Sequence, residues 1–251
     1  MKNKEAKKLA CSDLHGQYDL WRQIKEYLNP EDELYFLGDA IDRGPDGFKI
    51  MQEILDRPNT IYIRGNHEQM MIDALEEQIK SNGNFRFYDS ATELWFYNGG
   101  KSTFNYIENN NISKEEIIKQ IKEKTVKFYL LNCQNNCFYL THAGSNIDTF
   151  YKFLKEENND ALKYYYENKT FIWDRNHINP LIKWRGKNNE YIIYGHTPVG
   201  YIDSKNKGNH IDVTAGGHKI CLDLGAHIWG RACLFNLDTI EVEKYFSKID
   251  K

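Results

Sequence analysis

The second apolar run of the chain passes directly into a polar cluster, in the stretch LYFLGDAIDRG at residues 34–44. Two other stretches repeat this arrangement: LACSDLHG at residues 9–16 and IYIRGNHE at residues 61–68. In each, a short run with the composition of a strand ends at side chains that could act on a ligand. The intervals between the three stretches then decide the fold class.

Both intervals have the periodicity of a helix. Apolar residues recur at spacings of three and four, namely Leu20, Trp21, Ile24, Tyr27 and Leu28 in the first interval and Phe48, Met51, Ile54 and Leu55 in the second. Alternating strands and helices predict an α/β fold with a parallel sheet and right-handed crossovers. The carboxyl ends of adjacent parallel strands lie side by side, and ligands bind outside them. We therefore expect the three polar clusters to converge in space.

The rest of the chain adds insertions and further strands. A helix is expected over Glu68–Lys80, and residues 81–125 form a polar insertion with the character of a lid, including a helical patch at Lys114–Lys124. A second insertion, at residues 146–190, is rich in aromatic residues, which we expect to pack between helices. Strand patterns return at residues 137–140, 191–194 and 211–245, and predict a largely antiparallel half packed on the first sheet.

Composition narrows the classes of function. A chain of 251 residues predicts one domain, spanning residues 1–251 with the two insertions. A net charge of -3 provides no broad basic field for extended nucleic-acid binding. The apolar run after the basic residues 1–8 is too short for a signal peptide or a membrane span, so we expect a cytoplasmic protein. The five cysteines are an odd set, interpreted as reduced thiols.

The predicted strand ends carry oxygen and imidazole ligands but no thiolate. These candidates are Asp13, His15, Asp39, Asn66, His142 and His196. Such a set suits one or two divalent ions of the Mn, Fe or Zn kind, whereas structural zinc sites more often recruit cysteine. Asp39 is central, because one carboxylate can bridge two ions about 3.5–4 Å apart. A water held between two ions becomes a nucleophile near neutral pH, and the ions draw charge from a phosphoryl group.

Four further residues complete the expected chemistry. Arg43 and Arg175 present planar donor forks that match phosphate oxygens. His67, beside Asn66, is placed to protonate the leaving group. Asp42 could hold His67 in the required tautomer.

Three motifs resemble the signatures of the calcineurin-like metallophosphoesterases: DLHG at 13–16, GDAIDRG at 38–44 and GNHE at 65–68. The ending Asp42-Arg43-Gly44 and the glutamate Glu68 resemble the serine/threonine phosphoprotein phosphatase branch. That branch includes small bacterial and phage phosphatases and the symmetrical diadenosine tetraphosphate hydrolases. The resemblance implies a four-layer α/β/β/α sandwich with mixed sheets and a site at the strand carboxyl ends.

The resemblance also implies a role for each matched residue. One metal is bound by Asp13 and His15, Asp39 bridges both metals, and the second is bound by Asn66, His142 and His196. The general acid is His67, with Asp42 as its partner. The phosphate is bound by Arg43, Arg175 and Asn66. Arg175 depends on the short match Trp173-Asp174-Arg175. Two departures are Ser12, where the family usually has glycine, and Leu224, where protein-directed members often have threonine.

Three functions compete at this point. The first is a phosphatase with two divalent ions, Mn or else Fe or Zn, acting on phosphoserine and phosphothreonine in proteins. The second is a symmetrical dinucleoside tetraphosphate hydrolase, favoured by Leu224 and by the aromatic residues of 146–190 if they line the site. The third is a catalytically silent phosphate-binding module, which would lack the acid or a ligand. Because His67 and the whole ligand set are present, the sequence favours an enzyme.

Overall fold

The computed structural model of the protein describes residues 6–82, 90–156, 159–179 and 183–248. Parts of both predicted insertions, at residues 83–89, 157–158 and 180–182, lie outside the described residues, as do residues 1–5 of the basic segment. The strands are β1 (Lys8–Cys11), β2 (Glu33–Phe36), β3 (Thr60–Ile63), β4 (Thr125–Val126), β5 (Tyr129–Cys133), β6 (Asn136–Leu140), β7 (Glu190–Tyr194), β8 (Asp212–Thr214), β9 (Lys219–Cys221), β10 (Arg231–Asn236) and β11 (Glu241–Ser247).

The described helices all lie between these strands along the chain. They are α1 (Tyr18–Tyr27), α2 (Gly47–Asp56), α3 (Asn66–Lys80), α4 (Ala91–Tyr97), α5 (Lys101–Asn109), α6 (Lys114–Lys124), α7 (Ile147–Lys155), α8 (Asp160–Tyr165), α9 (Phe171–Trp173), α10 (Val199–Ile202) and α11 (Ala226–Trp229). A π-helical turn at Tyr166–Thr170 links α8 to α9, and 3₁₀ turns occur at Asn176–Ile178 and Ala215–Gly217. None of the described helices is both long and apolar enough to cross a membrane.

Two mixed sheets form the centre of the fold. The first has the order β11-β10-β1-β2-β3-β4, and its strands β1, β2 and β3 are parallel, as the alternation of strands and helices predicted. The second has the order β5-β6-β7-β9-β8. The prediction of a largely antiparallel second half was wrong in two respects. Strands β6, β7 and β9 pair in parallel, because α7 to α9 between β6 and β7, and α10 with β8 between β7 and β9, form crossovers long enough to return the chain in the same direction. Strands β10 and β11 join the first sheet.

Alternation along the strands separates two cores. On β1, Leu9 and Cys11 face the helices α1, α2 and α3, whereas Ala10 faces the second sheet. The rings of Tyr35 and Tyr129, 5.8 Å apart, join the two sheets across this second core. On the far side of the second sheet, Tyr139 contacts Phe150 of α7 at 5.1 Å. The layers are therefore helix, sheet, sheet and helix, as expected.

The first insertion is largely part of the core. Trp95, Ile107, Ile117 and Ile121 from α4, α5 and α6 are buried against the first sheet's helices. The predicted helix at Lys114–Lys124 is confirmed. In the second insertion Phe150 and Phe171 are buried and stack at 5.0 Å, which confirms the packing interpretation for these aromatic residues. All five cysteines are free thiols.

One acidic residue connects β11 to both ends of the first βα unit. Glu243 accepts hydrogen bonds from Lys7 Nζ, from Tyr27 Oη at 2.6 Å and from Asn236 Nδ2 at 2.9 Å. The bond from Lys7, followed by that from Tyr27, lowers the pKa of Glu243 to about 2 from its usual 4.5. A depressed carboxyl pKa stabilises the fold above the unfolded-state value and loses that contribution as the pH falls towards the folded-state value.

We therefore expect Glu243→Gln to lower the free energy of unfolding at pH 7, with a difference from the wild type that shrinks as the pH falls from about 4.5 towards 2. Urea unfolding of both proteins between pH 7 and about pH 3.5 measures this difference. Glu241→Gln, an exposed change on the same strand, is the matched control. A gap between wild type and Glu243→Gln that is independent of pH would contradict the assignment.

Candidate metal centre

The six candidate metal ligands converge at the carboxyl ends of five strands. Those from the first sheet are Asp13 and His15 after β1, Asp39 after β2 and Asn66 after β3; those from the second are His142 after β6 and His196 after β7. The backbone brings the loops together: the N–H groups of Asp13 and His15 donate to the carbonyls of Gly38 and Asp39, both at 3.0 Å. Across the two sheets, the N–H of His196 donates to both carboxylate oxygens of Asp13.

These loops are held in strained conformations. Of the twelve non-glycine residues with positive φ in the described chain, half belong to this site: Asp13, His15, Asp39, Asp42, Arg43 and His196. Side chains with a Cβ rarely adopt the left-handed region, and each such residue costs of order 1–3 kcal/mol unless the surroundings compel it. The concentration of strain here indicates a site whose geometry matters more than its local stability.

Asp39 is shared by two groups of potential metal ligands. In the described part of the chain, ligand atoms of His15, Asp39 and His67 lie within 4.8 Å of one another, and so do those of Asp39, His142 and His196. Asp39 Oδ2 is 3.3 Å from His142 Nε2 and 3.6 Å from His15 Nε2. Asn66 Oδ1 adds an oxygen to the second group, 2.9 Å from both His142 Nε2 and His196 Nδ1.

The orientation of His142 favours a cation between these atoms. Its Nδ1 is 2.7 Å from the carbonyl oxygen of Leu37, which must accept, so Nδ1 carries the proton in the neutral ring. Nε2 then presents a lone pair to two further acceptors, Asn66 Oδ1 and Asp39 Oδ2. Lone pairs that point at one another are reconciled by a proton or by a metal ion.

The balance of buried charge points the same way. The carboxylates of Asp13, Asp39, Glu68 and Asp223 are all buried at the site, whereas the cationic side chain of Arg43 is exposed. Burial, followed by the charges of Asp223 and Asp39, holds the pKa of Asp13 well above its usual range. Burial also raises the pKa of Asp223 to about 7. Uncompensated buried carboxylates are costly, and divalent ions are the usual compensation.

Asp39 behaves differently because imidazoles surround it. Burial acts to raise its pKa, but His142, His67 and His15 outweigh burial, so the pKa of Asp39 lies well below the usual range. Asp39 is therefore the carboxylate that remains ionised and available to two ligand groups. The donor set and the charge balance both fit divalent metal binding.

A second cluster contains the predicted acid and phosphate ligands. His67 Nδ1 is 2.7 Å from Asp42 Oδ2, as the tautomer argument required. Arg43 Nη1 and Nη2 lie 2.9 Å from His15 Nε2 and 3.0 Å from His67 Nε2, so both rings accept at Nε2 and donate from Nδ1. Arg175 is exposed. Burial and the charge of His142 are the larger causes that lower the pKa of His196, and the charge of Arg175 adds to them.

A family model described as calcineurin-like phosphoesterase matches residues 6–222. The chain belongs to this family. The chain is similar to serine/threonine-protein phosphatase 2 of Salmonella typhimurium, 25% identical over 236 residues that cover 90% of each chain. The symmetrical bis(5'-nucleosyl)-tetraphosphatase of Buchnera aphidicola is 32% identical over 82 residues, covering 31% of this chain and 30% of that one.

The fold is also similar to that of a solved structure. A protein serine/threonine phosphatase from Saccharomyces cerevisiae superposes with a TM-score of 0.52 at 14% identity, covering 99% of this chain and 82% of its own. Family membership makes this chain a phosphoesterase and a hydrolase, and the resemblance noted in the sequence is confirmed.

Asp13 differs in its contacts from the other carboxylate and imidazole ligands predicted for this phosphoesterase. It lies outside both groups with close ligand atoms, and its carboxylate accepts from His196 N–H at 3.0 and 3.1 Å and from Ser12 Oγ. Ser12, the departure from the family pattern, thus contacts the Asp13 carboxylate.

Glu68 braces the loop that carries Asp39. Its carboxylate accepts from the N–H groups of Gly65, Asp39 and Ala40 at 2.9–3.0 Å and from Tyr62 Oη at 2.9 Å. These bonds join the loops after β2 and β3 at one carboxylate. Gly65 allows the close approach, because a Cβ there would overlap Asp39 Oδ1.

Three residues of the site had no assigned role in the sequence. Asp223 follows β9 and lies close enough to Asp13 and Asp39 that, besides burial, its charge raises the pKa of Asp13 and the charge of Asp39 raises the pKa of Asp223. Trp95 and Thr103, from the first insertion, donate to Asp42. Asp223 could have been found from its place at the end of an apolar run; Trp95 and Thr103 are separated from Asp42 by more than 50 residues and by no recognisable spacing.

We expect Glu68→Gln to lower the free energy of unfolding by about 2–4 kcal/mol, because an amide would turn a donor towards N–H groups that now share a charged acceptor. Urea denaturation provides the measurement, and Glu31→Gln, an exposed change, is the control. Equal stability of Glu68→Gln and wild type would show that these bonds do not support the loop.

Proposed function

We propose that the protein is a two-metal phosphatase that hydrolyses phosphate monoesters, with phosphoserine and phosphothreonine proteins as substrates. The observation that carries the proposal is the position of Asp39 between two groups of imidazole and oxygen ligands. Coverage of 90% of a Salmonella serine/threonine-protein phosphatase supports the substrate class. We take residues 1–251 as one domain acting in the cytoplasm.

The proposed ligands follow the sequence assignment. Asp13 and His15 would hold one ion, Asn66, His142 and His196 would hold the other, and Asp39 would be shared by both, with Mn preferred over Fe or Zn for a set without thiolates. When bound, two such ions supply a nucleophilic water at neutral pH and withdraw charge from the phosphoryl group.

The chain's own residues bind the substrate and handle the leaving-group proton. Arg43 is exposed beside His15 and His67, where its guanidinium can turn from the two rings to phosphate oxygens. Arg175 and the Asn66 amide bind the remaining phosphate oxygens. With Arg43 turned to the phosphate, His67 would carry a proton on Nε2 and pass it to the departing oxygen. Asp42, 2.7 Å from His67 Nδ1, keeps the ring in place and stabilises its protonated form.

Asp39→Asn and His67→Asn should separate the two roles. Loss of the shared carboxylate removes charge from both ligand groups, so Asp39→Asn should lose bound metal and activity together. His67→Asn should retain metal and slow hydrolysis of a phosphoserine peptide by ~10²–10⁴-fold. Elemental analysis and steady-state kinetics give the two readouts. Full metal content in Asp39→Asn, or unchanged turnover in His67→Asn, would refute the corresponding role.

The alternative, a symmetrical dinucleoside tetraphosphate hydrolase, has one supporting feature in the site. The Trp173 ring lies 6.1 Å from the His196 ring, edge to face, where it could stack on a base. Leu224, which suggested this alternative in the sequence, is buried in the core between the sheets and so does not favour either substrate directly.

A substrate comparison distinguishes the two. We expect kcat/KM for a phosphothreonine peptide to exceed that for diadenosine tetraphosphate in the presence of Mn, because the relative that aligns with this chain over 90% of both sequences is a protein phosphatase. Both substrates should be assayed at equal metal and enzyme concentrations, with the Asp39→Asn protein as the blank. A preference for the dinucleotide would select the alternative.

A further inference from the structure

We propose that Trp95 and Thr103, on the helices α4 and α5 of the first insertion, are positioning residues that hold the general acid through Asp42. The inference rests on the proposed function, since it assigns these residues to the proton-transfer step of that reaction. It gives the insertion a part in catalysis, where the sequence suggested a lid.

Thr103 forms a closed pair of hydrogen bonds with Asp42. The Thr103 hydroxyl accepts from the backbone N–H of Asp42 at 3.0 Å and donates to Asp42 Oδ1 at 2.7 Å. Both residues are buried, with Asp42 0% and Thr103 2% exposed. One hydroxyl has one proton to donate and two lone pairs to accept, so the two bonds use its only proton and one lone pair and fix both the backbone and the carboxylate.

Trp95 holds the other carboxylate oxygen. Its Nε1 donates to Asp42 Oδ2 at 2.9 Å, the same oxygen that lies 2.7 Å from His67 Nδ1. The indole is fully buried and packs edge to face on Phe104. Gly100 leaves room for this indole, because a Cβ there would overlap its five-membered ring. The position of Asp42 Oδ2, and therefore the direction of His67, is set by Trp95.

The backbone at Asp42 and Arg43 needs this support. Both residues have positive φ, 71° and 63°, in a conformation that side chains with a Cβ rarely adopt. Besides the Thr103 bond to Asp42, the N–H of Arg43 donates to the Gly99 carbonyl at 3.1 Å. The segment from Trp95 to Thr103 thus holds both Asp42, the partner of the general acid, and Arg43, a phosphate-binding residue.

The leaving group provides a readout that a purely structural role would not change. An alkoxide leaving from phosphoserine requires a proton as the ester bond breaks, whereas p-nitrophenolate departs as a stable anion. Variants that disturb the acid should therefore slow the phosphoserine peptide and spare p-nitrophenyl phosphate. We expect Thr103→Val and Trp95→Phe to lower kcat for the peptide by about 10–100-fold and kcat for p-nitrophenyl phosphate by less than about 3-fold, with KM unchanged.

The chain offers matched controls. Thr92→Val removes another buried threonine hydroxyl from α4, one that donates to Glu77 and not to Asp42. Thr103→Ser keeps the hydroxyl and should restore peptide turnover to near the wild-type value. Thermal unfolding and metal content of each variant establish that it is folded and loaded.

A double-mutant cycle with His67→Asn completes the test. If Thr103 acts through His67, adding Thr103→Val to His67→Asn should slow peptide hydrolysis no further. Equal slowing of both substrates, or an undiminished effect of Thr103→Val in the His67→Asn background, would overturn the inference while the proposed phosphatase activity stands. Wild-type peptide turnover in His67→Asn would instead remove the general acid from the proposed function, and this inference with it.

Discussion

The structure depends on the burial of several carboxylates at one point between two sheets. Asp13, Asp39 and Asp223 follow three strands of the two sheets and lie close together. Burial and the charges of neighbouring carboxylates raise the pKa of Asp13 and of Asp223. In water such groups would repel one another mildly; in a buried site the repulsion and the loss of hydration are costly. The imidazoles around Asp39 relieve part of this cost, and divalent cations are suited to relieve the rest.

The fold meets this cost by making the surrounding backbone rigid. Glu68 gathers three N–H groups from the loops after β2 and β3, and carbonyls after β2 accept from the loop after β1. The left-handed residues of the site are thereby held in conformations that they would not adopt alone. A phosphoesterase gains from this arrangement, because ligands that are already placed need little reorganisation when charge moves during the reaction.

Sequence reasoning was most successful where chemistry and periodicity coincide. The alternation of strands and helices predicted the parallel strands β1, β2 and β3, and the strand-end rule predicted that Asp39, Asn66, His142 and His196 would meet. It failed for the second sheet, where short apolar runs do not encode pairing direction and the crossover through α7 to α9 decides it. It also missed Trp95 and Thr103, whose bonds to Asp42 span 53 and 61 residues.

The sequence by itself determined which atoms are available at the site, since ligand type and strand-end position are local properties of residues such as Asp39, His67 and His142. Only the tertiary structure decided how those atoms are oriented. Which nitrogen of His142 faces Asp39, and which side chains hold Asp42, follow from contacts with Leu37, Trp95 and Thr103 on other elements of the fold. Orientation depends on packing between segments distant in the chain, and no local pattern of residues encodes it.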